Sequence, residues 1–125
     1  MEYRAVALKP IAKTLSMKIA KVAAERKVPC FCADQTVNPV LVEWNKNVAA
    51  RLKSFPGLDN LGLLESNGHQ NYVNWHQMKK NLPQCKAPWV DVKDGFYHTN
   101  EEYFNNGGGI FDSIPHYEGM FRKKQ

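Results

Sequence analysis

The chain has 125 residues, of which 43% are hydrophobic and 23% charged, with a formal net charge of +5 and a sequence pI near 9.2. That length bounds it to one domain, because a complete α/β barrel takes about 250 residues. No apolar run reaches the roughly 20 residues that cross a bilayer, and the start MEYRAVALKP lacks the apolar centre of a signal peptide, so a cytoplasmic chain is expected.

The basic residues are scattered. Lys13, Lys18, Lys21, Arg26 and Lys27 share one helical segment with Glu25, and Arg122-Lys123-Lys124 ends the chain. No nucleic-acid motif accompanies them, so they read as a solvated helix face, and neither a nucleic-acid nor a membrane partner is expected. Three cysteines, Cys30, Cys32 and Cys85, are too few and odd in number for a disulfide framework. They read as ordinary buried thiols.

In chain order, Tyr3–Leu8 is a short apolar strand stopped by Pro10. Thr14 or Ser16 then caps a helix through Arg26. Leu15, Ile19, Val22 and Arg26 share one of its faces, while Ala12, Ala20, Ala23 and Ala24 offer small contacts to a sheet. The second strand, Val28–Ala33, follows almost without a loop. Asn38-Pro39 starts a helix to about Lys53, with Asn as cap and Pro at the first helical position. Leu41, Trp44 or Asn45, Val48 and Leu52 recur on it at helical spacing, and Phe55-Pro56-Gly57 ends it. Leu61–Glu65 is the third strand. Ser66-Asn67-Gly68 is a turn, and Asn71 caps a helix to about Leu82, with Tyr72, Trp75, Met78 or Lys79, and Leu82 in one stripe.

The character changes after Pro83. Trp89–Val92 and Phe96–His98 flank Lys93-Asp94-Gly95, a hairpin signal. Asn100 caps a short helix through Phe104, Asn105–Gly109 is a flexible turn, and Ile110–Phe121 reads as an aromatic arm. The chain thus divides into residues 1–86, built of β/α units, and a C-terminal extension, 87–125.

Strands that alternate with helices pair in parallel, and chemistry then collects at their carboxyl ends. Lys9 stands there after the first strand, placed to act as a general base or to steady an oxyanion. Asp34 and Glu65 end the next two strands, where carboxylates orient a lysine, hold a cation or meet a polar substrate. Asp34-Gln35-Thr36 also suits a helix cap. Ser66–Asn71 is dense in hydrogen-bonding groups, with Asn67 and His69 as substrate-binding candidates. His76, His98 and His116 have no zinc-site spacing with the cysteines, and Gly107–Gly109 is a poor phosphate loop because it does not join a strand to a helix.

Ala7-Leu8-Lys9-Pro10-Ile11-Ala12-Lys13-Thr14, the alanine-rich helix, and Val28-Pro29-Cys30-Phe31-Cys32-Ala33-Asp34 resemble the sixth and seventh β/α units of the enolase superfamily. The likeness is nearest to its mandelate racemase/muconate lactonizing enzyme group, with Leu61–Gly68 as the eighth strand and loop. It implies a partial TIM barrel, strands six to eight, with a C-terminal hairpin and arm. It also implies a longer parent enzyme that removes a proton next to a carboxylate, as a dehydratase, epimerase or cycloisomerase. Lys9 matches the acid/base lysine of that group, and no histidine in Cys30–Thr36 completes a racemase-type dyad. Magnesium is the implied cofactor of the parent and a small carboxylate or acid sugar its substrate. The family's metal-binding carboxylates fall on earlier strands, so no metal is expected on this chain, which alone is expected to be inactive and to self-associate through open strand edges. The alternative reading is a small self-contained α/β binding module with its polar site at Glu65–Asn71.

Overall fold

The structure, a computed structural model, describes residues 4–12, 14–33, 36–112 and 118–119. Its contacts divide the chain into two compact units, one reaching Val73 and the other starting at Asn74. The division read from the sequence falls later, after residue 86.

The first unit is built on three parallel strands in the order β1-β2-β3: β1 is Val6–Leu8, β2 is Cys30–Ala33 and β3 is Leu64–Glu65. Val6, Ala7 and Leu8 pair with Cys30, Phe31 and Cys32, and Cys32 and Ala33 pair with Leu64 and Glu65. A 3-10 turn, Pro10–Ala12, leads into helix α1, Thr14–Glu25, which returns the chain to β2. Pro10 opens that turn, in which the Ala12 amide donates to the Lys9 carbonyl, and so β1 stops where the sequence predicts. The helix ends in a Schellman motif. Lys27 takes a left-handed backbone (φ 57°), its amide donates to the Ala24 carbonyl, and the Val28 amide donates to the Ala23 carbonyl at 2.8 Å.

Helix α2, Pro39–Ala49, starts as expected. Asn38 Oδ1 accepts the Leu41 amide at 3.0 Å, and Pro39 fills the first turn, where its missing N–H costs nothing. The core lies where α2 meets the sheet, around Cys32, Val48 and Ala49, with Trp44, Leu52 and Leu64 against them. The sequence did not signal how deeply this helix is covered. Glu43, Asn45, Lys46 and Asn47 are all buried, with Glu43 and Lys46 paired at 2.5 Å. Asn47 Nδ2 donates to the Glu43 carbonyl at 3.0 Å, and Arg51 Nη1 donates to the Asn47 carbonyl and to Asn47 Oδ1 at 3.1 and 2.7 Å.

The open three-stranded sheet overturns the expectation of a partial barrel made of strands six to eight. In a barrel each strand is followed by a helix that covers it. Here β3 has two residues and is followed only by α3, Gly68–Asn71, after which Tyr72 takes extended backbone and ends it. The helix predicted from Asn71 to Leu82 is broken, and α4, Trp75–Lys79, belongs to the second unit. The stripe that signalled it is not a buried face, since Leu82 is buried but Tyr72 is exposed.

In the second unit, Trp89 and Tyr103 are buried with their rings edge to face at 5.6 Å. Leu82 and Val90 are also buried, and Lys79 pairs with Asp91. Helix α5, Glu101–Asn106, is capped by Asn100, whose Oδ1 accepts the Tyr103 amide at 2.9 Å. It closes at Gly107 in the left-handed region (φ 64°), so the run Asn105–Gly109 is a helix end rather than a loose turn. Asp94 and Gly95 have the positive φ of a tight turn, and Lys93 and Phe96 exchange backbone hydrogen bonds across it. The predicted hairpin stops there. A single antiparallel bridge, Lys93–Phe96, stands where two strands were expected. The predicted arm, Ile110–Phe121, lies largely outside the described residues. Among the described residues, no helix is long and apolar enough to cross a membrane.

Candidate functional site

The three strands run parallel, so the residues that follow them share one edge of the first unit. One residue past the Leu8–Cys32 pair, Lys9 falls level with Ala33, which pairs with Glu65. Two strand spacings, about 10 Å, therefore separate the Lys9 and Glu65 backbones. The neighbouring row, Leu8, Cys32 and Leu64, includes two core residues packed with α2. Side chains alternate along a strand, so Glu65 takes the opposite face from Leu64, and it is exposed.

Lys9 is half-buried, and its backbone is held from two sides. Its carbonyl accepts the Ser16 hydroxyl at 2.6 Å and the Ala12 amide at 2.9 Å. The next carbonyl, of Pro10, accepts Trp44 Nε1 at 3.1 Å. Ser16 is therefore not the helix cap that the sequence offered. Its buried hydroxyl ties α1 back to the end of β1.

Asn67 is the centre of the loop after β3. Its Oδ1 accepts the Thr36 amide at 3.1 Å, and its carbonyl accepts the Gln70 amide at 3.1 Å and Asn71 Nδ2 at 2.9 Å. The first of these bonds joins the loop after β2 to the loop after β3. Thr36 itself has φ 59°. A β-branched residue rarely enters that region, and such strain of about 1–3 kcal/mol persists only where the surroundings impose it. His69 is exposed on α3, beside buried Gly68. Asp34 lies outside the described residues.

The structure thus brings Lys9, Glu65, Asn67 and His69 to the ends of neighbouring parallel strands and adds Thr36, which sequence reasoning had only as a helix cap. Threonine gives no sign of a left-handed backbone, so only the polar density of Gln35-Thr36 hinted at it. Beneath the edge, burial pushes the Cys32 thiol up to about 12, with Cys30 beside it adding to the rise, and burial also raises Cys30. Both thiols are therefore poor nucleophiles near neutral pH. Among the described residues no three histidines, cysteines or carboxylates come together to hold a metal ion.

Comparison with models of protein families, with curated proteins and with solved structures gives no match for this chain.

Proposed function

We propose that the first unit is a small binding module that takes a small hydroxylated carboxylate, of acid-sugar type, at the carboxyl edge of its sheet. Lys9 supplies the cation for the carboxylate, and Glu65, Asn67 and His69 supply hydrogen bonds for hydroxyls. The observation that carries this reading is the bond from the Thr36 amide to Asn67 Oδ1. It fixes two loops at the edge that Lys9 shares, and it is made with strained backbone at Thr36. The three thiols, all free, suit a reducing compartment, and we place the chain in the cytoplasm.

The test is a titration of the isotopically labelled chain with gluconate, and with glucose as the uncharged control. Gluconate is expected to move the amide signals of Lys9, Thr36 and Asn67 at millimolar concentration, glucose less, and Lys9→Ala to abolish the difference. Equal shifts from both sugars, or none, overturn the reading.

A second reading keeps the chemistry that the sequence resemblance implies, with Lys9 taking a proton next to the carboxylate. What favours it is the held backbone of Lys9, clamped by Ser16. Its test is exchange of that proton in deuterium oxide with magnesium added. Exchange that Lys9→Ala removes supports it; exchange that is absent, or that survives the substitution, overturns it.

A further inference from the structure

Helix α1 covers the sheet with its smallest residues. Ser16 and Ala23 are buried, Ala20 and Ala24 half-buried, and the helix packs on β1 and β2. Its large apolar residues look outward. Leu15 is 60% exposed, Val22 46% and Ile19 40%, and Ile11 in the preceding turn is 46% exposed. At helical spacing Leu15, Ile19 and Val22 form one continuous stripe. Lys18, Lys21 and Glu25 lie on the next face of the helix, so the stripe itself carries no charge between Ile11 and Arg26. Together these four side chains leave roughly 300 Å² of contiguous apolar surface open, within the size of patch that is often functional, while Met17, 41% exposed, faces the other way.

The same helix packs on β1, an edge strand. The Val6 amide donates to the Pro29 carbonyl of the β2 side at 2.8 Å. In a parallel ladder alternate residues bond to the same neighbour, so the amide and carbonyl of Ala7 point to the edge that no described strand pairs. Ala7 is small and exposed. A bare ladder edge beside an apolar helix flank is a joining surface.

We propose that a second copy of this chain covers it, as a two-fold pair in which β1 meets β1 antiparallel and the two α1 helices lie side by side. A two-fold axis at the β1 edge places both helices on the same side of the joined sheet, which is what a self-complementary contact requires. The centre of the stripe is near Ile19, so Leu15 of one copy meets Val22 of the other, and the lysines stay at the wet rim. Area supports the occupant. Two such patches bury roughly 600 Å² of apolar side chain, and the strand edges and the rim supply the rest of the about 1,000 Å² at which specific pairs begin. The pair rests on this surface alone and not on the ligand reading of the sheet edge.

The test is sedimentation of the full chain over a range of concentrations. A reversible dimer of the 14.3 kDa chain is expected. Leu15→Ser with Ile19→Ser is expected to raise its dissociation constant at least about tenfold, and Ala7→Pro to weaken it too, since proline at an edge removes only the outward N–H. All of these positions are exposed, so circular dichroism should still show the parent fold at concentrations where every variant is monomeric, and Ala7→Pro tests the contact independently of the helix. A chain that stays monomeric at about 100 μM overturns the proposal, as does a dimer that both variants leave unchanged. Open-ended assemblies that grow with concentration also overturn it, because a two-fold pair closes.

Discussion

The backbone amide of Thr36 reaches Oδ1 of Asn67 over 3.1 Å, across 31 residues of sequence. Nothing in β-sheet pairing requires this bond. The ladder between β2 and β3 ends at Ala33 and Glu65, and the two loops beyond it are then joined by one side chain. The left-handed Thr36 and its partner act as a unit, so strain on one side is held by a hydrogen bond on the other. Asn67→Ala is expected to lower stability by about 1 kcal/mol, with the Thr36 amide gaining fast hydrogen exchange, while Asn67→Asp keeps the acceptor and most of the protection. Thr36→Gly is expected to raise stability by about 1 kcal/mol, because glycine enters this region without strain. If Thr36→Gly destabilises the chain in urea, the strain argument is wrong.

Trp44 makes the corresponding tie on the other side of the edge. Its Nε1 donates to the Pro10 carbonyl at 3.1 Å, which fixes the turn after Lys9 against α2. Trp44→Phe keeps most of the apolar contact with the Cys32–Val48–Ala49 core and deletes the donor. Loss of about 1 kcal/mol is expected from urea unfolding, together with broadened backbone signals at Lys9 to Ala12. Unchanged signals there would show that the Ser16 hydroxyl alone holds the turn.

How much of this could be read beforehand depends on whether the signal was local. Asn38-Pro39, Asn100, Pro10 and Asp94-Gly95 act through their own backbone and their near neighbours, and each shapes the chain where the residues say. The β/α order and the edge that carries Lys9 and Glu65 come from the same local signals. The path of the chain beyond β3 was not legible. Tyr72, Trp75, Met78 and Leu82 have helical spacing, but periodicity cannot tell a covered stripe from one that the chain interrupts. On α1 the composition was a better guide than the stripe: Ala20, Ala23 and Ala24, offered to a sheet by their small size, are the covered residues, and Leu15, Ile19 and Val22 are exposed. The Thr36–Asn67 and Trp44–Pro10 bonds join residues 31 and 34 apart, which no local window contains.

Gly62 explains why β3 is shorter than the apolar run Leu61–Glu65. A Cβ at Gly62 would overlap the backbone carbonyl of Ala49, at the end of α2. The chain therefore crosses the helix end closely before it can pair at Leu64. Gly62→Ala must shift backbone on one side or the other, and a loss of at least about 2 kcal/mol is expected. Gly57 has nothing near its missing Cβ, but its φ of 83° makes alanine strained there for a different reason. The two variants should separate by crystallography or chemical shifts: Gly62→Ala perturbs Ala49 and Ala50, Gly57→Ala only its own turn.

The buried pair of Glu43 and Lys46 makes α2 sensitive to single changes. Their side chains are 6% and 2% exposed, so removing one partner leaves a charge that water cannot reach. Lys46→Met is expected to cost about 3 kcal/mol, whereas Glu43→Leu with Lys46→Met should cost much less, because two uncharged side chains need no compensation. A double-mutant cycle in urea measures the difference. Equal losses from the single and double variants would mean that packing around α2, rather than the buried charge, sets the cost.

Cys32 sets the response to alkali. Its thiol is fully buried, and its folded value near 12 lies above the ordinary 9.0. Below pH 9 both folded and unfolded chains hold the proton, and the group adds no pH dependence. Above 9 the unfolded chain loses that proton while the folded chain keeps it, so the unfolded state binds fewer protons and stability falls as pH rises toward 12. The slope from this one group is at most about 1.4 kcal/mol per pH unit. Cys32→Ala removes the slope at the cost of some packing against Val48 and Ala49, so its stability should vary less between pH 9 and 11 than that of the parent chain. The same burial predicts that a thiol reagent labels Cys32 of the folded chain only at the rate of unfolding, well behind half-buried Cys30 and Cys85. Rapid labelling of all three thiols in the native chain would show that the sheet opens far more readily than its packing implies.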